Sequence, residues 1–194
     1  ALPFSVSTRS TGWLSRMSEQ LERTPARLLG GKTINVLEHN HFSAASQFIV
    51  DIVYDHYNEH PDDARFFASN NMVVPAKAFT EVGGFPVSFS RAGGEDREFC
   101  DRWLWKGGEM SYVAEALVYH AHHLSFVSYC KQHFAYGIGA YHYHRIRKGR
   151  RSGSITGEMK FHANLRNWLL APFTRKEKRP FFLFFLLILW QFAN

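Results

Sequence analysis

Apolar residues recur at helical spacing in four stretches of the chain, and short apolar runs lie between them. Ser10 or Thr11 can cap a first helix running to about Arg23, with Leu14, Met17 and Leu21 on one face. Leu28–Leu29, Gly30–Gly31 and Thr33–Leu37 read as short extended pieces around a turn. Ser43 opens a stronger helix, in which Ala45, Ile49, Ile52, Val53 and His56 fall at helical spacing, and Pro61-Asp62-Asp63 ends it with turn chemistry. Arg65–Ala68 and Met72–Val74 look like strand pieces interrupted by Ser69-Asn70-Asn71. Pro75 sits where a helix starts and Gly83 where one stops, which frames Ala76–Val82. After a loop to Gly94, Glu95–Lys106 forms the next predicted helix. Phe99, Cys100, Trp103 and Leu104 make its inner face, and Gly107-Gly108 closes it. Met110–Val113 and Ala116–Tyr119 are predicted strands, and Ser125 caps a long helix to about Lys148. Helices alternating with short strands predict an α/β layered domain.

The end of the chain breaks this pattern. Phe181 to Trp190 is unbroken apolar sequence, which Phe192 and Ala193 extend past Gln191. As a helix, such a run reaches only about 20 Å, at about 1.5 Å per residue, against about 30 Å of bilayer hydrocarbon. It predicts a truncated transmembrane helix, an interfacial anchor, or a helix buried against further protein. Arg145 to Arg179 carries eleven Lys and Arg against two acids, so the net charge of +6 is concentrated there. A basic segment directly before an apolar run is the pattern of a cytoplasmic membrane flank. Because the basic residues stop where Phe and Leu take over, membrane is expected as the partner and nucleic acid is not. The two cysteines exclude a disulfide scaffold and a four-cysteine zinc module. At 194 residues and 45% hydrophobic, the chain has ample material for a core.

Four constellations carry candidate chemistry. In Gly93-Gly94-Glu95-Asp96-Arg97 the two acids open a helix. They match the helix dipole as first-turn residues, or one of them serves as a general base. The preceding glycines allow close backbone approach to a ligand. In Tyr119-His120-Ala121-His122-His123, alternation puts His120 and His122 on one face. These are loop histidines or a partial metal site, with no companion cysteine pattern. His133, His142 and His144 are expected on the polar or interfacial side of the following helix. Asn70 and Asn71 are ordinary turn residues or amides that bond sugar hydroxyls. The Arg145–Arg151 run is expected as a solvated or lipid-facing surface. No Walker-type loop, dinucleotide fingerprint or Gly-x-Ser-x-Gly elbow is present.

The order of these motifs is more specific than any one of them. Phe66-Phe67-Ala68-Ser69-Asn70-Asn71-Met72, then Phe79-Thr80-Glu81-Val82-Gly83-Gly84-Phe85, then Gly94-Glu95-Asp96-Arg97, then Gly107-Gly108, then Val118-Tyr119-His120, resembles the second half of family 2 glycosyltransferases. Tyr136-Gly137-Ile138-Gly139 looks like part of the juxtamembrane helix of its membrane-bound members. The resemblance covers roughly residues 20–148.

It implies a partial GT-A (nucleotide-diphospho-sugar transferase) fold, a mixed sheet flanked by helices, ending in a membrane-associated helix. Residues 1–124 would be the C-terminal part of the catalytic domain, 125–179 the juxtamembrane helix and basic segment, and 180–194 a truncated or interfacial membrane helix. The implied reaction moves a sugar from a nucleotide-sugar donor to an acceptor hydroxyl with inversion. Asp96 would be the base with Glu95 beside it, and Asn70, Asn71, Gly93, Gly94 and Arg97 would line the substrate. His120 would help hold a divalent metal, Mn²⁺ or Mg²⁺, on the donor diphosphate. The acceptor would be a glycan or lipid-linked, at the cytoplasmic side of the cell inner membrane or cytoplasmic membrane. The family's Asp-x-Asp metal motif is absent from this sequence. The chain therefore reads as the C-terminal portion of a longer transferase, lacking the nucleotide-binding half and inactive alone. The alternative is a non-catalytic membrane-associated module that binds glycans or lipid head groups.

Overall fold

The computed structural model describes residues 5–89, 93–153 and 168–193, with positions 156, 159, 161, 163 and 164 between them. Lys160 and Arg166 of the expected basic segment lie outside the described residues, as does loop 90–92 of the expected 1–124 region.

The sheet has four strands: β1 (Ser5–Arg9), β2 (Leu28–Asn35), β3 (Met72–Val73) and β4 (Met110–His122), in the order β1-β4-β2-β3. β2 and β4 run parallel, and β1 and β3 add antiparallel edges. The sheet is therefore mixed and flanked by helices, as expected. Helices among the described residues include α1 (Trp13–Arg23), α2 (His41–Tyr57), α3 (Ala76–Val82), α4 (Glu95–Trp105), α5 (Phe126–Arg150), a single turn α6 (Ala171–Thr174) and α7 (Pro180–Ala193).

Alternation along β2 sends Leu28 and Leu29 to opposite faces, and each anchors its own core. Leu29 joins Met17 of α1 and Ala116. Leu28 joins Tyr54, Phe67, Phe99, Cys100, Trp103 and Met110, between the sheet, α2 and α4. On α1 the inward residues are Trp13, Met17 and Leu21; Leu14, expected on that face, points outward. The N-cap of α2 is Asn40, whose side chain accepts from the Ser43 N–H. Ser43 is buried and its hydroxyl donates to the His122 carbonyl.

Gly30-Gly31 does not form a turn. It lies inside one continuous strand, because a side chain there would collide with its neighbours. A Cβ on Gly30 would lie 2.0 Å from the Phe67 ring, and one on Gly31 would lie 2.1 Å from the Ala116 carbonyl oxygen. β4 is also one strand, not two. Its register against β2 slips between Gly31 and Thr33, and the segment 114–117 bulges there. Arg65–Ala68 is not a strand, and Ser69–Asn71 forms a short 3-10 turn leading into β3.

A third core joins α2, α5 and α7 through Phe48, Ile52, Tyr129, Leu183, Leu186, Leu187 and Trp190. The Tyr129 hydroxyl donates to the Leu186 carbonyl over 3.1 Å. The divisions expected at residues 125 and 180 therefore do not separate packing units. The apolar tail buries one face against this chain's own α2 and α5, because every third or fourth residue of α7 meets their apolar side. Phe181, Phe185 and Phe192 on α7 remain exposed. Among the described residues, no helix is long and apolar enough to cross a membrane.

Candidate active site

Two glycines in left-handed geometry set the entry to α4: Gly93 with φ 131° and Gly94 with φ 93°. Their lack of side chains also lets α5 approach. A Cβ on Gly139 would lie 1.9 Å from the Gly93 carbonyl oxygen, and one on Gly93 would lie 2.7 Å from the Tyr136 ring. Both glycines are thus accounted for by helix packing. Glu95 turns back on this loop and accepts from the Gly93 N–H at 2.6 Å.

Asp96 follows with a different environment. Its Oδ1 accepts from the Arg97 N–H at 2.8 Å, and the Ser69 backbone also hydrogen-bonds to it. Burial, followed by the charge of Glu95, pushes its carboxyl up to about 6. Two acids opening one helix thus have different tasks: Glu95 holds the loop, and Asp96 is left as a carboxylate poised near neutral pH. Tyr136 of α5 stands beside the pair; burial and the two carboxylates push its hydroxyl up to about 12.

The remaining expected residues divide between rim and scaffold. Asn70 is exposed beside the Ser69 turn and accepts from Thr33 Oγ1 at 3.4 Å. Asn71 is buried and fully bonded. Its Oδ1 accepts from the Trp13 indole at 2.7 Å, and its amide donates to the carbonyls of Lys32 (3.0 Å) and Ala116 (2.9 Å). Those two carbonyls face the β2–β4 bulge, so Asn71 completes the sheet, and its burial keeps it from a sugar. Arg97 donates to the Tyr57 hydroxyl at 2.6 Å and lies over the rings of Tyr57 and Tyr143, which fix it against the protein.

His120 belongs to a separate hydrogen-bonded group at the end of β4. Its Nδ1 lies 2.8 Å from Ser7 Oγ and its Nε2 lies 3.4 Å from Ser5 Oγ, both on β1. Burial lowers its pKa. His122 lies edge-on, with ring centroids 5.7 Å apart. A divalent ion on a diphosphate wants anionic oxygen ligands. Among the described residues, no group of three His, Cys, Asp or Glu can hold a metal. Ser5, Ser7, His120 and His122 supply hydroxyls and imidazoles here and no carboxylate.

The Arg145–Arg151 run corrects an expectation. Arg145, Lys148 and Arg151 are exposed, but Arg147 and Arg150 point inward, with side chains 14% and 11% exposed. Arg150 pairs with Glu98 at 2.6 Å and also with Asp101, and Arg147 pairs with Asp101 at 3.0 Å. Arg102 adds contacts of 2.9–3.1 Å to the buried Glu98 and donates to the carbonyls of Val82 and Gly84. This network fixes α4, and with it Asp96, between α5 and the turn after α3. His133 also differs from expectation: it is buried between Tyr129 and Tyr136, not on a polar face. Tyr57 and Tyr143 belong to no motif, and Tyr136 stands in the Tyr136-Gly137-Ile138-Gly139 run that resembles a juxtamembrane helix, which gives no sign of its place beside the acid pair.

Two cavities, of about 260 and 530 Å³, share Lys32, Thr33 and Asp51 along β2 and α2. Neither is lined by Glu95, Asp96 or His120.

The chain thus combines a mixed sheet with an acid pair at a helix start and a histidine near a strand end. The family described as Glycosyl transferase family group 2 matches residues 17–193, and the chain belongs to it. Its architecture is a partial GT-A fold. No curated protein matches the chain.

Proposed function

We propose that this chain forms the acceptor side of an inverting glycosyltransferase in which Asp96 is the general base. The acceptor hydroxyl gives its proton to the Asp96 carboxylate as its oxygen attacks the anomeric carbon. The bond from that carbon to the nucleotide diphosphate breaks, and the diphosphate leaves with the electron pair. The observation that carries this reading is the contrast between the two acids, one spent on the Gly93 turn and the other held with a carboxyl near 6. A base of that strength is ionised at neutral pH and still accepts a proton in the transition state. The exposed Asn70, next to the Ser69 turn that bonds Asp96, and Tyr136 beside the acid pair are the groups proposed to meet the acceptor.

The acceptor is a glycan or a lipid-linked carrier at the cytoplasmic face of the cell inner membrane. This part rests on α5 and α7, which contain no acidic residue. The outward face of α5 carries Val127, Phe134, Ile138 and Tyr141 with Lys131, Arg145 and Lys148. Aromatic and apolar residues interleaved with basic ones suit an anionic lipid surface.

The test is transfer from a panel of nucleotide-sugar donors onto membrane acceptors by the complete transferase that contains this chain and by its Asp96→Asn variant. Loss of about 10²–10⁴-fold in rate, with donor binding retained, is expected for removal of a base. Transfer by the variant within tenfold of wild type contradicts the role. No transfer by either protein, with glycan binding unchanged by the substitution, favours the non-catalytic module.

A further inference from the structure

The group around His120 is complete without a metal. β1 pairs with β4 so that Ser7 lies opposite His120 and Ser5 opposite His122. Two residues apart on one strand, the two serines share a face, and both hydroxyls reach the same imidazole. A neutral imidazole has one donor and one acceptor nitrogen, and a hydroxyl can serve either. Each ring nitrogen therefore faces a neutral, rotatable hydroxyl. The other strand neighbour, Asn35 of β2, adds an amide and no charge. No acid lies on β1, and the nearest acid along β4 is Glu115, five residues before His120.

We propose that this strand end is a metal-free cluster in which the Ser5 and Ser7 hydroxyls hold His120, and that the chain loads no divalent cation there. The inference goes beyond the transfer reading and does not depend on it, because it concerns binding by this chain alone. The missing element is charge rather than placement. Cation affinity follows the number of anionic oxygens supplied, and the two positions that flank the imidazole carry hydroxyls where carboxylates would be needed.

The experiment titrates Mn²⁺ into the whole chain and follows paramagnetic broadening of the His120 ring resonances. It is repeated on Ser5→Asp/Ser7→Asp and on that variant with His120→Ala. Wild type should show no selective broadening at His120. The double variant should bind Mn²⁺ at least about tenfold more tightly, with broadening centred on His120, through its two added carboxylates. His120→Ala should abolish that gain. Selective broadening of His120 in wild type overturns the proposal. A double variant that folds and gains no Mn²⁺ affinity overturns the claim that Ser5 and Ser7 occupy the ligand positions. Because transfer is not measured, failure here is separate from failure of the Asp96 assignment.

Discussion

Replacing Glu98 by Gln should destabilise the chain more than any single change at the exposed Arg145 or Lys148. The Glu98 side chain is only 3% exposed. It accepts from Arg102 Nε at 3.1 Å and Nη2 at 2.9 Å, and from Arg150 Nη1 at 2.6 Å. Neutralising it leaves two half-buried guanidinium groups facing an amide that cannot balance either. Breaking a buried pair by removing one partner costs about 3–5 kcal/mol. Arg150→Met should cost less, about 1–3 kcal/mol, because Glu98 keeps Arg102 and Asp101 keeps Arg147. Once Arg150 is gone, removal of Glu98 takes a carboxylate from one guanidinium, Arg102, instead of two. The double variant should therefore lose less than the two singles combined, by about 1–3 kcal/mol. Urea unfolding of the four proteins at pH 7 measures this coupling directly. Additivity within about 0.5 kcal/mol would refute a shared network, as would a Glu98→Gln cost below about 1 kcal/mol.

Asp96→Asn should show a pH-dependent stability difference from wild type. The folded carboxyl, near 6, lies above its ordinary value of 3.8, so protonated Asp96 favours folding. That contribution is full below about pH 4 and is lost as pH rises through about 6. Relative to wild type, the variant should therefore gain about 1–3 kcal/mol between pH 4 and 8, and a flat difference in chemical denaturation would contradict the burial. Gly139→Ala should cost about 1–3 kcal/mol by overpacking against the Gly93 carbonyl; thermal melts check this, and an unchanged Tm would mean α5 does not pack there. Asn71→Ala should cost about 2–4 kcal/mol, since it strands the Trp13 indole and two sheet carbonyls; a loss under about 1 kcal/mol in urea would be inconsistent with that role. Phe134→Ser with Ile138→Ser should weaken flotation on vesicles containing anionic lipid and leave neutral vesicles unaffected, and equal flotation of both proteins would remove α5 from the membrane reading.

Local signals in the sequence were reliable where neighbouring residues decide the structure. Pro75 and Gly83 bound α3 at Ala76–Val82 as expected, and Ser125 caps α5 through a reciprocal bond with Ser128. Signals failed where the deciding partner lies far along the chain. Gly30-Gly31 resembles a turn until the Phe67 ring and the Ala116 carbonyl come within reach, and only the folded sheet brings them there. Asn71 resembles a turn amide because its carbonyl partners belong to a bulge between strands 39 and 45 residues away. The basic run after Tyr143 resembles a solvated surface because its acidic partners, Glu98 and Asp101, precede it by about 50 residues. Of the candidate site, the acid pair and His120 were legible as residue types. The division of labour between Glu95 and Asp96 was not, because it depends on which carboxylate reaches the Gly93 N–H.

The most direct test of the Asp96 assignment is the titration of its own side-chain carboxyl carbon by NMR, alongside the pH dependence of transfer. The account predicts a midpoint near 6 for Asp96, and an ascending limb in the transfer rate at the same pH that Asp96→Asn removes. A carboxyl titrating near its ordinary value of 3.8, or a rate whose limb survives the substitution, would contradict the central claim that Asp96 is the base.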